Sequence, residues 1–248
     1  MNQEHMTRGG FRLDFSDEEK GRSGLYAKLA VAAFFLIILG LTVSFVLRVI
    51  LPTEPDWELL PLNGNNIFAQ NIIIWLTGRC YVQRRLVRAL EEAGGILNRR
   101  IPEARIAYLD ASGRKGGFLK GHRSHKQGRD VDLCFFGRER DARLFPESPR
   151  IFSVGYLFNY DEEGRSGSLT FDTESNLFMI VALLEQKSVP VEKIFVEPYI
   201  KKWLLAEAEK GELPHVTLAR LTQVMRYAGD QAAKHDDHMH VRFASPDL

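Results

Sequence analysis

The chain has 248 residues, enough to bury the core of one ordinary domain or two small ones. Its 33 Lys and Arg balance 32 Asp and Glu, a formal net charge of +1, so it lacks the basic excess typical of a nucleic-acid binder. No nucleic-acid partner is expected.

The first predicted element is apolar. Residues 29–47, "LAVAAFFLIILGLTVSFVL", carry no charge and stand between Lys28 and Arg48. A helix needs about 20 apolar residues to cross a bilayer core, and soluble helices usually keep a polar face that this one lacks. A cleavable signal has a shorter apolar region, about 7–15 residues, followed by a small-x-small site. Here the bulky "SFVLRVILPTEP" follows instead, so an uncleaved single-span anchor is expected. Arg8, Arg12, Lys20, Arg22 and Lys28 precede the span, whereas Arg48 alone follows closely, ahead of Glu54, Asp56 and Glu58. The positive-inside bias then puts the N-terminus in the cytoplasm and the C-terminal part across the membrane. The expected divisions are a tail at 1–24, the anchor at 25–51, a linker at 52–70 rich in Pro, Gly and Asn, and one domain at 71–248.

Within that domain, "YVQRRLVRALEEAGGILNRR" spaces Val82, Leu86, Val87 and Leu90 as an amphipathic helix, expected to end near Gly94 and Gly95. "ARIAYLDAS" and "GRDVDLCFF" read as strands. The charged stretch 137–167 is a long connection of the kind that is usually functional or mobile. Asp172 or Thr173 can cap a helix in "ESNLFMIVALLEQ", and "EKIFVEP" follows as a strand. Two more helices, "YIKKWLLAEAEKG" closed by Gly211 and "TLARLTQVMRYAGD", precede a last strand, "HMHVRF". Strands interleaved irregularly with helices point to an α+β domain: a small antiparallel sheet flanked by helices, behind one N-terminal transmembrane helix. Cys80 and Cys134 can form a disulfide in an oxidising compartment or remain two buried thiols.

Five of the seven histidines fall in two short stretches, "GHRSHKQGRDVDL" and "HDDHMHVRF". Alternate side chains of a strand share a face, so His238, His240 and Arg242 line one side of the last strand, and Asp130, Asp132 and Cys134 one side of "DVDLC". If the two strands are neighbours, their polar faces combine. A single histidine is more often a surface or core residue than a ligand, but two clusters with interleaved aspartates are hard to reach by chance. Catalytic zinc takes three protein ligands and keeps a position open. His125, Asp132 and His240 would complete such a site, with Gly128 letting the chain turn back toward the ion. His122, His235 and His238 would then be available for acid–base work. Asp130 would support a ligand or make a strand-end hydrogen bond, and Arg129 and Arg242 would grip a substrate carboxylate or serve the fold. The tetrapeptide "SGRK", Ser112 to Lys115, matches the S-x-x-K of serine peptidases, but it sits in a glycine-rich turn without companion motifs, and chance explains it better. Cys134 is expected to be a small buried residue beside the site rather than a nucleophile.

The pair "GHRSHKQGRDVDL" and "HDDHMHVRF" resembles the motif pair of the penicillin-insensitive murein endopeptidases, zinc peptidases grouped with lysostaphin, D-alanyl-D-alanine carboxypeptidases and the Sonic hedgehog signalling domain. "FDTESNLFMIVALL" and "VEKIFVEPYIKKWLLAEA" are similar to that family's intervening helix and strand, so the likeness runs from about Ile106 to Phe243. The resemblance implies Zn2+ on His125, Asp132 and His240, with His122, His235 and His238 as the other active-site histidines. It also implies hydrolysis of D-alanyl–diaminopimelate cross-links of peptidoglycan in the periplasm, by water that zinc activates. His238 is the first choice for carrying the proton, with His122 and His235 stabilising charge or orienting substrate. "FASP" stands where the family's "CP" would follow "HVR", a departure that leaves that family's disulfide arrangement open here. A zinc D,D-carboxypeptidase, a non-catalytic metal-binding cell-wall module and, more distantly, a metal-dependent nuclease are the rival readings.

Overall fold

The computed structural model describes residues 17–50, 55–117, 119, 124–139, 144–145, 156, 158–229 and 234–245. The chain divides into two units, Met1–Leu47 and Arg48–Leu248. The helix α1 (Asp17–Ile50), most of which belongs to the first unit, begins inside the stretch expected to be a tail. Its portion Gly24–Leu47 is long and apolar enough to cross a membrane, and none of it is buried against protein. The hydroxyl of Thr42 donates back to Ile38 O at 2.8 Å, so this polar group is satisfied within the helix.

The second unit is α+β. Its early elements lie where a linker was expected, and they are part of the fold: β1 (Trp57–Leu59) pairs with β3 (Tyr81–Gln83), and β2 (Ile67–Ala69) pairs with β4 (Ile106–Tyr108). Ile67, Phe68 and Ala69 are fully buried, which a linker would not be. Between β2 and β3, Asn71 caps the short α2 (Ile72–Leu76), its Oδ1 accepting from Ile73 N at 2.8 Å. The helix α3 (Arg84–Arg100) does not stop at Gly94 and Gly95 but runs on for more than a turn. The glycine serves packing instead: a Cβ on Gly94 would lie 2.5 Å from Asn66 O, so only hydrogen lets the chain before β2 come this close.

After β4 come β5 (Asp130–Cys134), β6 (Gly137–Arg138), β7 (Leu144–Phe145), β8 (Arg165–Ser166) and β9 (Leu169–Phe171). The last four form their own sheet in the order β7-β6-β9-β8. Next is α4 (Thr173–Glu185), capped by Asp172 as one of the two expected candidates, with Oδ1 accepting from Ser175 N and Oδ2 from the Ser175 hydroxyl. Then follow β10 (Val191–Phe195), α5 (Pro198–Lys210) ending at Gly211, α6 (His215–Val224), β11 (Met225–Arg226) and β12 (His238–Phe243).

The main sheet runs β11-β10-β12-β5-β4-β2. Its four central strands are antiparallel, while the outer pairs β10–β11 and β2–β4 are parallel. Alternation sorts its faces. Val131 and Leu133 of β5, with Met239, Val241 and Phe243 of β12, join Leu86, Leu90 and Leu97 of α3 and Ile180 of α4 in one buried core. Each such side chain contributes roughly 1.5–3 kcal/mol by leaving water. The intervening residues of β5 and β12 are therefore forced to the opposite face, and all of them but Cys134 are polar.

Candidate metal centre

The two motif strands are neighbours. In the antiparallel register of β5 and β12, His240 stands opposite Asp132, Arg242 opposite Asp130 and His238 opposite Cys134. The third element is the loop ahead of β5 that carries His125. Gly128 has φ +66°, a left-handed conformation that L side chains rarely adopt, and a Cβ there would lie 2.5 Å from the Trp57 ring. The buried Ser112 clasps the loop: its hydroxyl donates to His125 O at 2.7 Å and accepts from Gly128 N at 3.1 Å. Gln83 N donates to Gly128 O at 2.8 Å. The serine of "SGRK" therefore holds a loop in place.

This brings three side-chain atoms into one triangle. His125 Nε2 lies 3.1 Å from Asp132 Oδ1 and 3.1 Å from His240 Nδ1, and His240 Nδ1 lies 2.9 Å from Asp132 Oδ1. All three residues are buried and form a group able to hold a metal ion. Bonds of about 2.0–2.1 Å to a tetrahedral zinc put ligand atoms about 3.3–3.4 Å apart, so small outward shifts would admit an ion. Two imidazoles and one carboxylate are also a donor set that suits zinc. The tautomer of His240 fits as well. Arg242 Nε donates to Asp130 Oδ1 at 2.7 Å and keeps that carboxylate ionised, so His240 Nε2, 3.0 Å from the same oxygen, must be the protonated nitrogen. In the neutral ring that a metal ligand requires, Nδ1 then presents its lone pair to the triangle.

The field of the site favours a cation. Burial works against charge on His240, yet its hydrogen bonds to Asp130 and Asp132 lift its pKa to about 9. Burial alone would raise Asp132, but the charges of His125 and His238 hold it well below the usual carboxylate range. For Asp130 burial is likewise outweighed, by His240 and Arg242, and its pKa is lowered.

Two further histidines flank the triangle. His238 Nδ1 is 2.5 Å from Asp237 Oδ1, and its Nε2 is 3.7 Å from Asp132 Oδ1. Burial opposes its charge, but Asp132 and Asp237 raise its pKa. The ring of His235 is 5.1 Å from that of His238 and 5.9 Å from that of His240, and burial, with the two neighbouring imidazoles, lowers its pKa to about 4. Its backbone N donates to Glu197 Oε1 at 3.0 Å. His122 lies outside the described residues.

Other expectations resolve plainly. Arg242 is committed to Asp130, and Arg129 to Glu192 at 2.6 Å, so both serve the fold. Cys134 is buried, which pushes its thiol pKa up and removes it as a nucleophile at neutral pH. No disulfide joins it to Cys80, also buried, whose thiol approaches Leu109 O at 3.7 Å. Sequence reasoning missed Asp237, although it sits inside the second motif, and Glu197 just ahead of α5. It also missed Tyr156, whose hydroxyl is 2.8 Å from Asp132 Oδ2, and its neighbours Asp110 and Arg79. Tyr156 lies in the long connection and has no spacing relation to either motif; Asp237 alone carried a signal, as a carboxylate next to a candidate catalytic histidine.

A comparison with curated proteins finds no match. A family model does match, over residues 58–247, from β1 past the end of β12. That span holds both motifs and the whole triangle, and the chain belongs to the penicillin-insensitive murein endopeptidase family.

Proposed function

We propose that this protein is a membrane-anchored zinc endopeptidase that hydrolyses D-alanyl–diaminopimelate cross-links of peptidoglycan. In this reading α1 is a single span of the inner membrane, with the N-terminus in the cytoplasm and the catalytic unit in the periplasm. Family membership supports a peptidase acting on murein. The observation that carries the metal chemistry is the buried triangle of His125 Nε2, Asp132 Oδ1 and His240 Nδ1, with a carboxylate-backed histidine beside it.

His125, Asp132 and His240 would hold the ion. Zinc, when bound, supplies a Lewis acid and brings the pKa of water down to about 7. The chain's own residues do the rest. Asp237 holds the Nδ1–H of His238, which turns Nε2 toward the triangle and leaves it ready to accept a proton. The same imidazolium then delivers that proton to the leaving amine. His235, with its low pKa, stays neutral at pH 7 and acts as a hydrogen-bond donor to charge developing on the scissile carbonyl oxygen. His122 is assigned to the same site as a third active-site histidine.

The test is mass spectrometry of cross-linked muropeptides digested by the full chain in detergent, with and without chelator, beside His238→Ala. Loss of dimers with appearance of monomers, dependent on zinc and on His238, is expected. Release of terminal D-alanine with cross-links intact would assign the D,D-carboxypeptidase reaction instead. Stoichiometric zinc with no turnover of either kind would leave a binding module.

A further inference from the structure

The Tyr156 hydroxyl sits between two carboxylates, 2.8 Å from Asp110 Oδ2 and 2.8 Å from Asp132 Oδ2. A phenol has one proton, so the two oxygens compete for it. The outcome depends on what else each carboxylate binds. Arg79 grips Asp110 with two parallel bonds, Nε to Oδ1 at 2.6 Å and Nη2 to Oδ2 at 2.8 Å, and Asp110 is 1% exposed. A bidentate guanidinium takes up much of that carboxylate's acceptor strength. Asp110 therefore has less acceptor strength to spare for the phenol than it would have without Arg79, and the Tyr156 hydroxyl stays within bonding distance of Asp132 Oδ2.

The phenol is also held in direction. Its ring stands edge-on to His238, with centroids 5.1 Å apart and planes at 87°. It packs against the small apolar cluster of Phe68, Ala107, Leu109 and Cys134 on the same side of the sheet. Asp132 Oδ1, meanwhile, is the atom turned to His125 and His240. One oxygen of the carboxylate faces the triangle and the other faces Tyr156.

We infer that Tyr156, backed by Asp110 and Arg79, is a positioning residue that fixes Asp132 through Oδ2 so that Oδ1 serves as a metal ligand. This rests on the reading that His125, Asp132 and His240 hold the ion. Hydrogen bonds of this kind to a ligating carboxylate typically change metal affinity by about 10- to 100-fold when removed. Arg79 acts at a distance, through Asp110 and then Tyr156. Its effect has a distinctive sign. As a mere nearby cation it would repel the metal ion, and its removal would tighten binding. As the support of the phenol it does the opposite: without it Asp110 competes better for the proton, Asp132 loses its tether, and binding weakens.

The experiment measures zinc affinity of the full chain in detergent by competition with a chromophoric chelator, together with the visible spectrum of the cobalt-loaded protein. Far-UV circular dichroism of the metal-free variants checks folding. Tyr156→Phe removes one oxygen and keeps the ring, and it is expected to bind zinc about 10- to 100-fold more weakly, with shifted cobalt bands. Arg79→Met is expected to weaken zinc binding as well. Wild-type affinity and an unchanged cobalt spectrum in Tyr156→Phe overturn the inference, as does tighter binding in Arg79→Met. Should Tyr156→Phe not fold, the sign of the Arg79→Met effect decides alone. His240→Ala separates the two levels: if it keeps wild-type zinc affinity, the three-ligand reading falls and takes this inference with it. If His240→Ala loses zinc while Tyr156→Phe does not, only the role of Tyr156 is lost.

Discussion

Replacing Asp130 by asparagine tests how the site orients His240, the last of its candidate ligands. Asp130 is fully buried and accepts two bonds at one oxygen, from His240 Nε2 at 3.0 Å and from Arg242 Nε at 2.7 Å. An ionised carboxylate can only accept, so in the neutral, metal-binding form of His240 it keeps the ring proton on Nε2 and leaves the lone pair on Nδ1. Asparagine keeps the volume but loses the charge, and its amide can donate to Nε2, which would turn the tautomer around. Losing such a carboxylate partner of a metal-binding histidine costs about 10- to 100-fold in metal affinity, about 1.4–2.7 kcal/mol. The assay is zinc titration of the full chain in detergent against a chromophoric chelator, with endopeptidase activity followed at low and at saturating zinc. Asp130→Asn should need more zinc for half-maximal activity yet regain most of its turnover when zinc saturates, because the fully buried Asp130 bonds His240 and Arg242 and acts through the ligand alone. A folded Asp130→Asn protein with wild-type zinc affinity would refute the argument that this carboxylate sets the orientation of His240.

His238→Ala should bind zinc as wild type does while losing about 10²- to 10⁴-fold in turnover, measured on cross-linked muropeptides. Ser112→Ala removes the clasp on the His125 loop and strands the buried Gly128 N–H, which should cost about 1–3 kcal/mol in thermal or denaturant unfolding. His235 gives a pH effect whose sign follows from its lowered pKa. The unfolded chain takes up the proton near pH 6.5 and the folded chain only near 4, so the stability His235 contributes is present above about 6.5 and fades as pH falls toward 4. In chelator-treated protein, unfolding midpoints measured across that window should fall less for His235→Gln than for wild type. A steeper fall in the variant would contradict the assignment.

Much of the site was legible because strand alternation is a local rule. The period of two in "DVDLC" and "HMHVRF" puts Asp130, Asp132, His238 and His240 on polar faces and Val131, Leu133, Met239 and Val241 on apolar ones, whatever the rest of the fold does. Helix capping by Asp172 and closure by Gly211 were readable for the same reason: each depends on a few consecutive residues. The same local logic failed at Gly94, where a residue that often ends helices lies in mid-helix because a distant carbonyl, Asn66 O, needs the space. It failed again at 57–69, whose Pro, Gly and Asn read as linker while the partners that make it β1 and β2, namely β3 and β4, lie further along the chain.

Composition and periodicity by themselves determined the apolar span, the polar and apolar faces of the two motif strands and the donor types available to a metal. Only the tertiary structure decided that β5 and β12 are neighbours in a register that sets His240 opposite Asp132, and that the Ser112 clasp turns His125 into their triangle. It alone placed Arg79, Asp110 and Tyr156 behind Asp132. Those three residues lie on separate elements with no shared period. The energy that unites them comes from burying charge beside its partners, and nothing local in the chain records that.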